Sequence, residues 1–180
     1  MPFYLEEKDV LAELDGAKSV LIVPCRFCPA ASAAVKNGKP YIQFFRRLLK
    51  TEAFERQVRA LQARLNEEGI RSKVFKSNSI QQFVLCMWTE GRRRKLLKKA
   101  ARHEAVVVIG CEAAAQTVTE AIKSTNCQVI QGLTTEGIMN VIPTFRFPAT
   151  LSIKCVGIHR MQSIDSSHGA MSLPGADARN

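Results

Sequence analysis

The chain has no apolar run approaching the roughly 20 residues needed to cross a bilayer, so no membrane span is expected. Neither of its two strongest apolar runs is followed by a G-x-G-x-x-G or P-loop pattern. Dinucleotide and ATP binding therefore lack their usual phosphate cradle. No Ser/His/Asp signature is present, and the three histidines have no catalytic partner pattern around them. His159 and His168 fall in or near a polar stretch and read as solvated. The opening residues, Met1 to Glu7, carry early acids and no basic segment. A secretory leader is not expected, and the cytoplasm is the expected location. There is no internal repeat. Acids are scarce, 16 Asp and Glu against 26 Lys and Arg, for a formal net charge of +10. That balance favours nucleic acid, anionic surfaces or acidic proteins as partners, without choosing among them.

What the chain does have is length for one domain, 180 residues, and six cysteines. In a reducing compartment cysteines serve as metal ligands, redox groups or small buried hydrophobes more often than as structural disulfides.

Two segments, Ser19 to Val23 and Ala105 to Ile109, are continuous apolar, β-branched runs. That is the pattern of strands buried on both faces, as in a parallel sheet. Shorter strands are expected at Arg71 to Phe75, Gln82 to Leu85 and Gln128 to Ile130, with an edge strand over Thr150 to Cys155. Helices are expected at Glu6 to Leu14, after Pro29, over Tyr41 to Glu68 with a break near Thr51, over Gly91 to Arg102, and over Ala113 to Lys123. The third of these carries Phe54, Val58, Leu61 and Leu65 at helical spacing, and Gly69 fits the position just past its end. Strands alternating with helices predict an α/β domain. Its sheet is expected to be mostly parallel, Rossmann-like or flavodoxin-like, with helices on both faces. The domain is expected over residues 1–161, followed by a polar, disordered tail over 162–180.

Cys25, Cys86 and Cys111 each stand at or just past the end of a predicted strand, and Cys28 follows Cys25 by three residues. In an open parallel sheet all strands deliver their carboxyl ends to one edge, and ligands bind there. Three loops would thus bring four thiols to one edge. Four sulfur ligands suit zinc or an iron–sulfur cluster. Cys28 and Cys111 precede helices, where the dipole favours a thiolate. Arg26 offers a cation inside the C-x-x-C loop, while Phe27 and Trp88 are candidates to shield a cluster from water. Cys127 and Cys155 have no second thiol nearby in the sequence and read as small buried hydrophobes. A thioredoxin-like dithiol formed by Cys25 and Cys28 competes with the metal reading.

Arg92, Arg93, Arg94 and Lys95 open a strongly basic helix that continues through Lys98 and Lys99. The first expectation for such a run is a solvated face; docking of an acidic redox partner comes second and nucleic acid third. No aromatic residues are interleaved with the charges, as single-strand binding would want.

The run Val20-Leu21-Ile22-Val23-Pro24-Cys25-Arg26-Phe27-Cys28, then Cys86, then Val107-Val108-Ile109-Gly110-Cys111 with Gln116-Thr117-Val118, resembles the cysteine-rich accessory domain associated with bacterial methylenetetrahydrofolate reductase. Gln128-Val129-Ile130-Gln131-Gly132-Leu133 is similar to that family's following strand and loop. The likeness covers about residues 18 to 142. It implies a [4Fe–4S] cluster on Cys25, Cys28, Cys86 and Cys111, and a non-catalytic role in electron transfer beside a flavin-containing catalytic subunit. Three other readings stay open: a zinc-stabilised interaction domain, a thiol–disulfide redox protein, and a nucleic-acid-binding protein acting through the basic helix.

Overall fold

A computed structural model describes residues 2–14, 16–43, 51–76, 84–146 and 150–160. In chain order the elements are β1 (Phe3–Glu7), β2 (Ser19–Pro24), α1 (Cys28–Asn37), β3 (Ile42–Gln43), α2 (Glu52–Glu67), β4 (Arg71–Val74), α3 (Glu90–Ala100), β5 (Ala105–Ile109), α4 (Glu112–Ile122), β6 (Gln128–Gln131), β7 (Leu133–Arg146) and β8 (Thr150–Arg160). Short 3-10 turns occupy Leu11–Glu13 and Leu85–Met87. The fold is α/β. The expected tail over 162–180 lies outside the described residues.

The two apolar runs are neighbouring central strands. Every residue of β2 and of β5 is buried, and they pair in parallel with Val20 opposite Ala105 and Pro24 opposite Ile109. The parallel sheet has the order β4-β2-β5-β6. Its first strand in sequence lies inside the sheet, with the second on one side and the third on the other. This is the flavodoxin-like order, in which successive connections leave in opposite directions from the β2/β5 boundary. Right-handed crossovers then place the helices before β4 on one face and those after it on the other. In agreement, α1 packs on α2, and α3 packs on α4. Burying each Val or Ile side chain of the two central strands contributes roughly 1.5–3 kcal/mol. The core therefore sits beneath the strands that end in Cys25 and Cys111.

The helical stripe of α2 is seen as expected: Phe54, Val58 and Leu65 are buried and Leu61 is half-buried. Gly69, just past the end, has a φ of 75°, a left-handed conformation that glycine adopts without penalty.

A second sheet, β1-β7-β8-β3, is antiparallel throughout. Three local expectations give way here. The segment expected as a helix from Glu6 is a strand through Glu7, followed by a single 3-10 turn. Tertiary contacts override its helical spacing: Ser32 of α1 accepts a hydrogen bond from the Leu5 amide at 2.9 Å and donates one to the Phe3 carbonyl at 3.0 Å. Of the helix expected over Tyr41 to Glu68, Ile42–Gln43 is instead a strand paired with β8, and the Tyr41 amide donates to the Leu151 carbonyl; residues 44–50 lie outside the described residues, and α2 spans Glu52–Glu67. Where only an edge strand over Thr150 to Cys155 is expected, β7 and β8 form one long antiparallel pair, with Ile142 opposite Lys154 and Phe145 opposite Leu151. Of the strand expected over Gln82 to Leu85, residues 82 and 83 lie outside the described residues. Leu85 itself begins a 3-10 turn. Among the described residues no helix is long and apolar enough to cross a membrane.

Candidate metal centre

The carboxyl end of β2 runs directly into Cys25, whose amide donates to the Ile109 carbonyl at 2.9 Å. That bond ties the Cys25 loop to the end of β5, two residues before Cys111. The intervening residue must be small. A Cβ at Gly110 would lie 2.7 Å from the Ala114 Cβ and 3.5 Å from the Cys25 Cβ. Glycine thus lets the β5–α4 turn close on the Cys25 loop. Both cysteines lie at the β2/β5 boundary, where this sheet order places its ligand crevice.

Cys28 is the first residue of α1, with Pro29 in the first turn, and Cys111 is the N-cap of α4. Both positions are as the sequence predicts. Cys86 differs. It sits on the exposed turn Leu85–Met87, whose Leu85 amide is directed to the Cys25 sulfur, and residues 82–83 of the strand expected before it lie outside the described residues. Cys25, Cys28 and Cys111 are only 3, 9 and 5% exposed.

The four thiols sense one another. Cys28 donates to the Cys111 sulfur; Cys25 feels the charge of Cys111 and Cys86, and Cys86 that of Cys111. Each sulfur also receives backbone N–H groups. Leu85 and Phe27 donate to Cys25, Phe3 to Cys28, Ala113 and Ala114 to Cys111, and Cys86 uses its own amide. Such donors stabilise thiolate over thiol. The Phe3 and Leu85 donors are invisible to sequence reasoning, since every non-proline residue carries the same amide.

Burial pushes the Cys25 thiol up to about 11, and its two amide donors pull only partly the other way. The shared hydrogen bond splits Cys28 and Cys111. Cys28, the donor, is raised, with burial adding to the effect. Cys111, the acceptor, is held below the ordinary thiol range by that bond, helped by the Ala114 and Ala113 amides and opposed by burial. Cys86 is raised, chiefly by burial. Among the described residues no group of three or more His, Cys, Asp or Glu side chains is already gathered tightly enough to hold a metal ion.

Arg26, the cation inside the C-x-x-C loop, is paired with Glu55. It is buried, and its Nε donates to Glu55 Oε1 at 2.6 Å while Nη2 donates to Oε2 at 3.3 Å. The pair staples the C-x-x-C loop to the first turn of α2. Glu55 carries no sequence signal beyond being an acid near a helix start. Glu112 has a parallel role beside Cys111. Burial raises its pKa, but hydrogen bonds from Thr135, Gln131 and its own amide together hold it below the usual carboxylate range. Those bonds fasten the start of α4 to β6 and β7. Tyr41 is a further neighbour the sequence reading missed. Burial raises its phenol, and Cys28 and Cys25 raise it further.

Phe27 is half-buried. Trp88 is buried against Phe75, ring centroids 5.5 Å apart at 40°. Lys99 caps that pair, its Nζ 4.9 Å from the Phe75 centroid. In the basic helix, Arg92 and Arg93 are half-buried while Arg94 and Lys95 are exposed. The Arg93 Nε donates to the Trp88 carbonyl at 3.3 Å. The two remaining cysteines are half-buried elsewhere. Cys127 donates to the His103 carbonyl at 3.1 Å, and Cys155 lies in β8. His103 Nδ1 lies 3.0 Å from the Lys99 carbonyl.

Comparison with protein-family models, with curated proteins and with solved structures finds no match.

Proposed function

We propose that this chain is a cluster-bearing electron-transfer or accessory subunit, working in the cytoplasm beside a separate oxidoreductase. Cys25, Cys28, Cys86 and Cys111 would be the ligands of a [4Fe–4S] cluster. The observation that carries the reading is the backbone N–H directed at every one of the four sulfurs, three of which are buried. Amide donors around thiolates both stabilise the ligand form and tune a cluster's potential. Closing the set onto one centre asks most of Cys86, which sits on the exposed turn. The resemblance to the accessory domain of methylenetetrahydrofolate reductase supports a flavin-containing partner, and reduction of a folate substrate by that partner.

A bound cluster would supply one-electron exchange. The chain's own contribution is to hold the thiolates, exclude water with Phe27, Trp88 and the second sheet, and keep the C-x-x-C loop in place through Arg26 and Glu55. A thiol–disulfide function is disfavoured by the same geometry. Attack on a disulfide needs an accessible thiolate, whereas Cys25 and Cys28 are buried and held protonated.

The test is metal and sulfide analysis, with a visible spectrum, on protein purified without oxygen. It is applied to the wild type and to the six single Cys→Ser variants. Brown protein with iron and acid-labile sulfide is expected. The metal should be lost in the Cys25, Cys28, Cys86 and Cys111 variants and retained in those of Cys127 and Cys155. A colourless protein with one zinc would make the site structural. Full metal in both Cys86→Ser and Cys111→Ser would refute a four-cysteine site.

A further inference from the structure

The four thiols are not equally reachable. Three are buried, and only Cys86 is exposed, on a turn whose next residue, Met87, is 78% exposed. Thr89 then caps α3, so the basic helix starts immediately beside this corner. Within α3 a single acid, Glu90, stands against Arg92, Arg93, Arg94, Lys95, Lys98 and Lys99.

Two of these cations have structural work. Arg93 bonds the Trp88 carbonyl, and Lys99 covers the Phe75 ring. Both pin the helix to the Phe75–Trp88 pair. Arg94, Lys95 and Lys98 are exposed, and with Gly91 they line one shallow depression. The positions 91, 94, 95 and 98 follow helical spacing and form one face.

We propose that Cys86, Met87 and the Arg94–Lys95–Lys98 face of α3 form a docking surface for an acidic redox protein. The proposal rests on the reading of the thiol site as a cluster, and names the side from which a partner approaches it. An exposed flexible apolar side chain two residues before the cap of a basic helix suits a transient interface: the apolar residue anchors, and the charges steer and orient. The position is apt because Cys86 is the most accessible of the four thiols. Nucleic acid fits less well. Base stacking needs exposed rings, and the aromatic neighbours of α3, Phe75 and Trp88, are buried.

The experiment is calorimetric titration of the full chain with a small acidic ferredoxin as probe, at low and high salt. In parallel, the chain is titrated with a single-stranded RNA oligonucleotide. The triple variant Arg94→Glu/Lys95→Glu/Lys98→Glu should weaken ferredoxin binding by roughly tenfold or more at low salt, with the difference shrinking as salt rises. Met87→Ser should weaken it by roughly fivefold or more, with little dependence on salt. The matched control Arg71→Glu/Lys73→Glu/Lys123→Glu makes the same change in net charge on exposed residues elsewhere, and should stay within about twofold. Equal loss in the control, absence of ferredoxin binding, or tighter binding of RNA that depends on Arg94, Lys95 and Lys98 would each overturn the proposal. Metal content of the same samples reports separately on the site. If the expected binding pattern appears on protein that carries no metal, the docking surface stands and the cluster reading falls.

Discussion

Breaking the ion pair between Arg26 and Glu55 should be far more damaging than removing both of its members. The Arg26 side chain is 7% exposed and that of Glu55 18%, and the Nε–Oε1 distance is 2.6 Å. A buried ion pair that loses one partner typically costs 3–5 kcal/mol, because the survivor is left desolvated and uncompensated. Glu55 keeps slightly more contact with water than Arg26, so Arg26→Met is expected at the lower end, about 3 kcal/mol. Glu55→Met leaves the more deeply buried Arg26 guanidinium uncompensated and should cost about 4–5 kcal/mol. The double variant Arg26→Met/Glu55→Met buries no charge and should lie within about 1–2 kcal/mol of the wild type. A coupling energy of at least about 2 kcal/mol follows from the cycle. The assay is urea unfolding of the metal-free chain, supported by thermal melting. For a chain of this length a loss of about 3 kcal/mol corresponds to a fall in Tm of roughly 6–12 °C. Single variants whose costs simply add, to within about 0.5 kcal/mol, would refute the argument that this pair staples the C-x-x-C loop.

Gly110→Ala should cost about 1–3 kcal/mol by forcing α4 away from the Cys25 loop, since its new Cβ would fall 2.7 Å from that of Ala114; unfolding midpoints check the cost, and metal content should fall with it. Stability of the metal-free chain should decline between about pH 9 and 11. The folded state holds the Cys25 proton more tightly than the unfolded one, with a pKa of about 11 against an ordinary 9.0, so this contribution is complete below pH 9 and disappears as pH rises through 11. The loss expected from this thiol is about 3 kcal/mol, Tyr41 acts in the same direction, and Cys25→Ala should flatten the profile measured by urea titrations at stepped pH.

Local pattern alone carried the central architecture. The runs ending at Val23 and Ile109 are contiguous and apolar, so their burial on both faces is written residue by residue, and the helical stripe of α2 is equally local. The positions of Cys25, Cys28 and Cys111 were legible for the same reason: each follows a strand or begins a helix, and strand direction sends them to one edge. Of the second sheet only the strand over Thr150 to Cys155, part of β8, was legible. Its strands are partly exposed and join segments as distant as Phe3 and Ile138, and a pairing of that kind leaves no periodic trace in either segment. The 3-10 turn that carries Cys86 was not legible, since its Leu85 amide is directed to the Cys25 sulfur, a residue 60 positions away that only packing brings near. The partner of Arg26 was not legible, because Glu55 lies 29 residues away and only packing brings the two together. Composition and periodicity thus decided which cysteines stand at the ends of the central strands. The tertiary structure decided what surrounds them, because the amides of Phe3 and Leu85 and the Glu55 carboxylate act through position in space, which side-chain pattern does not encode.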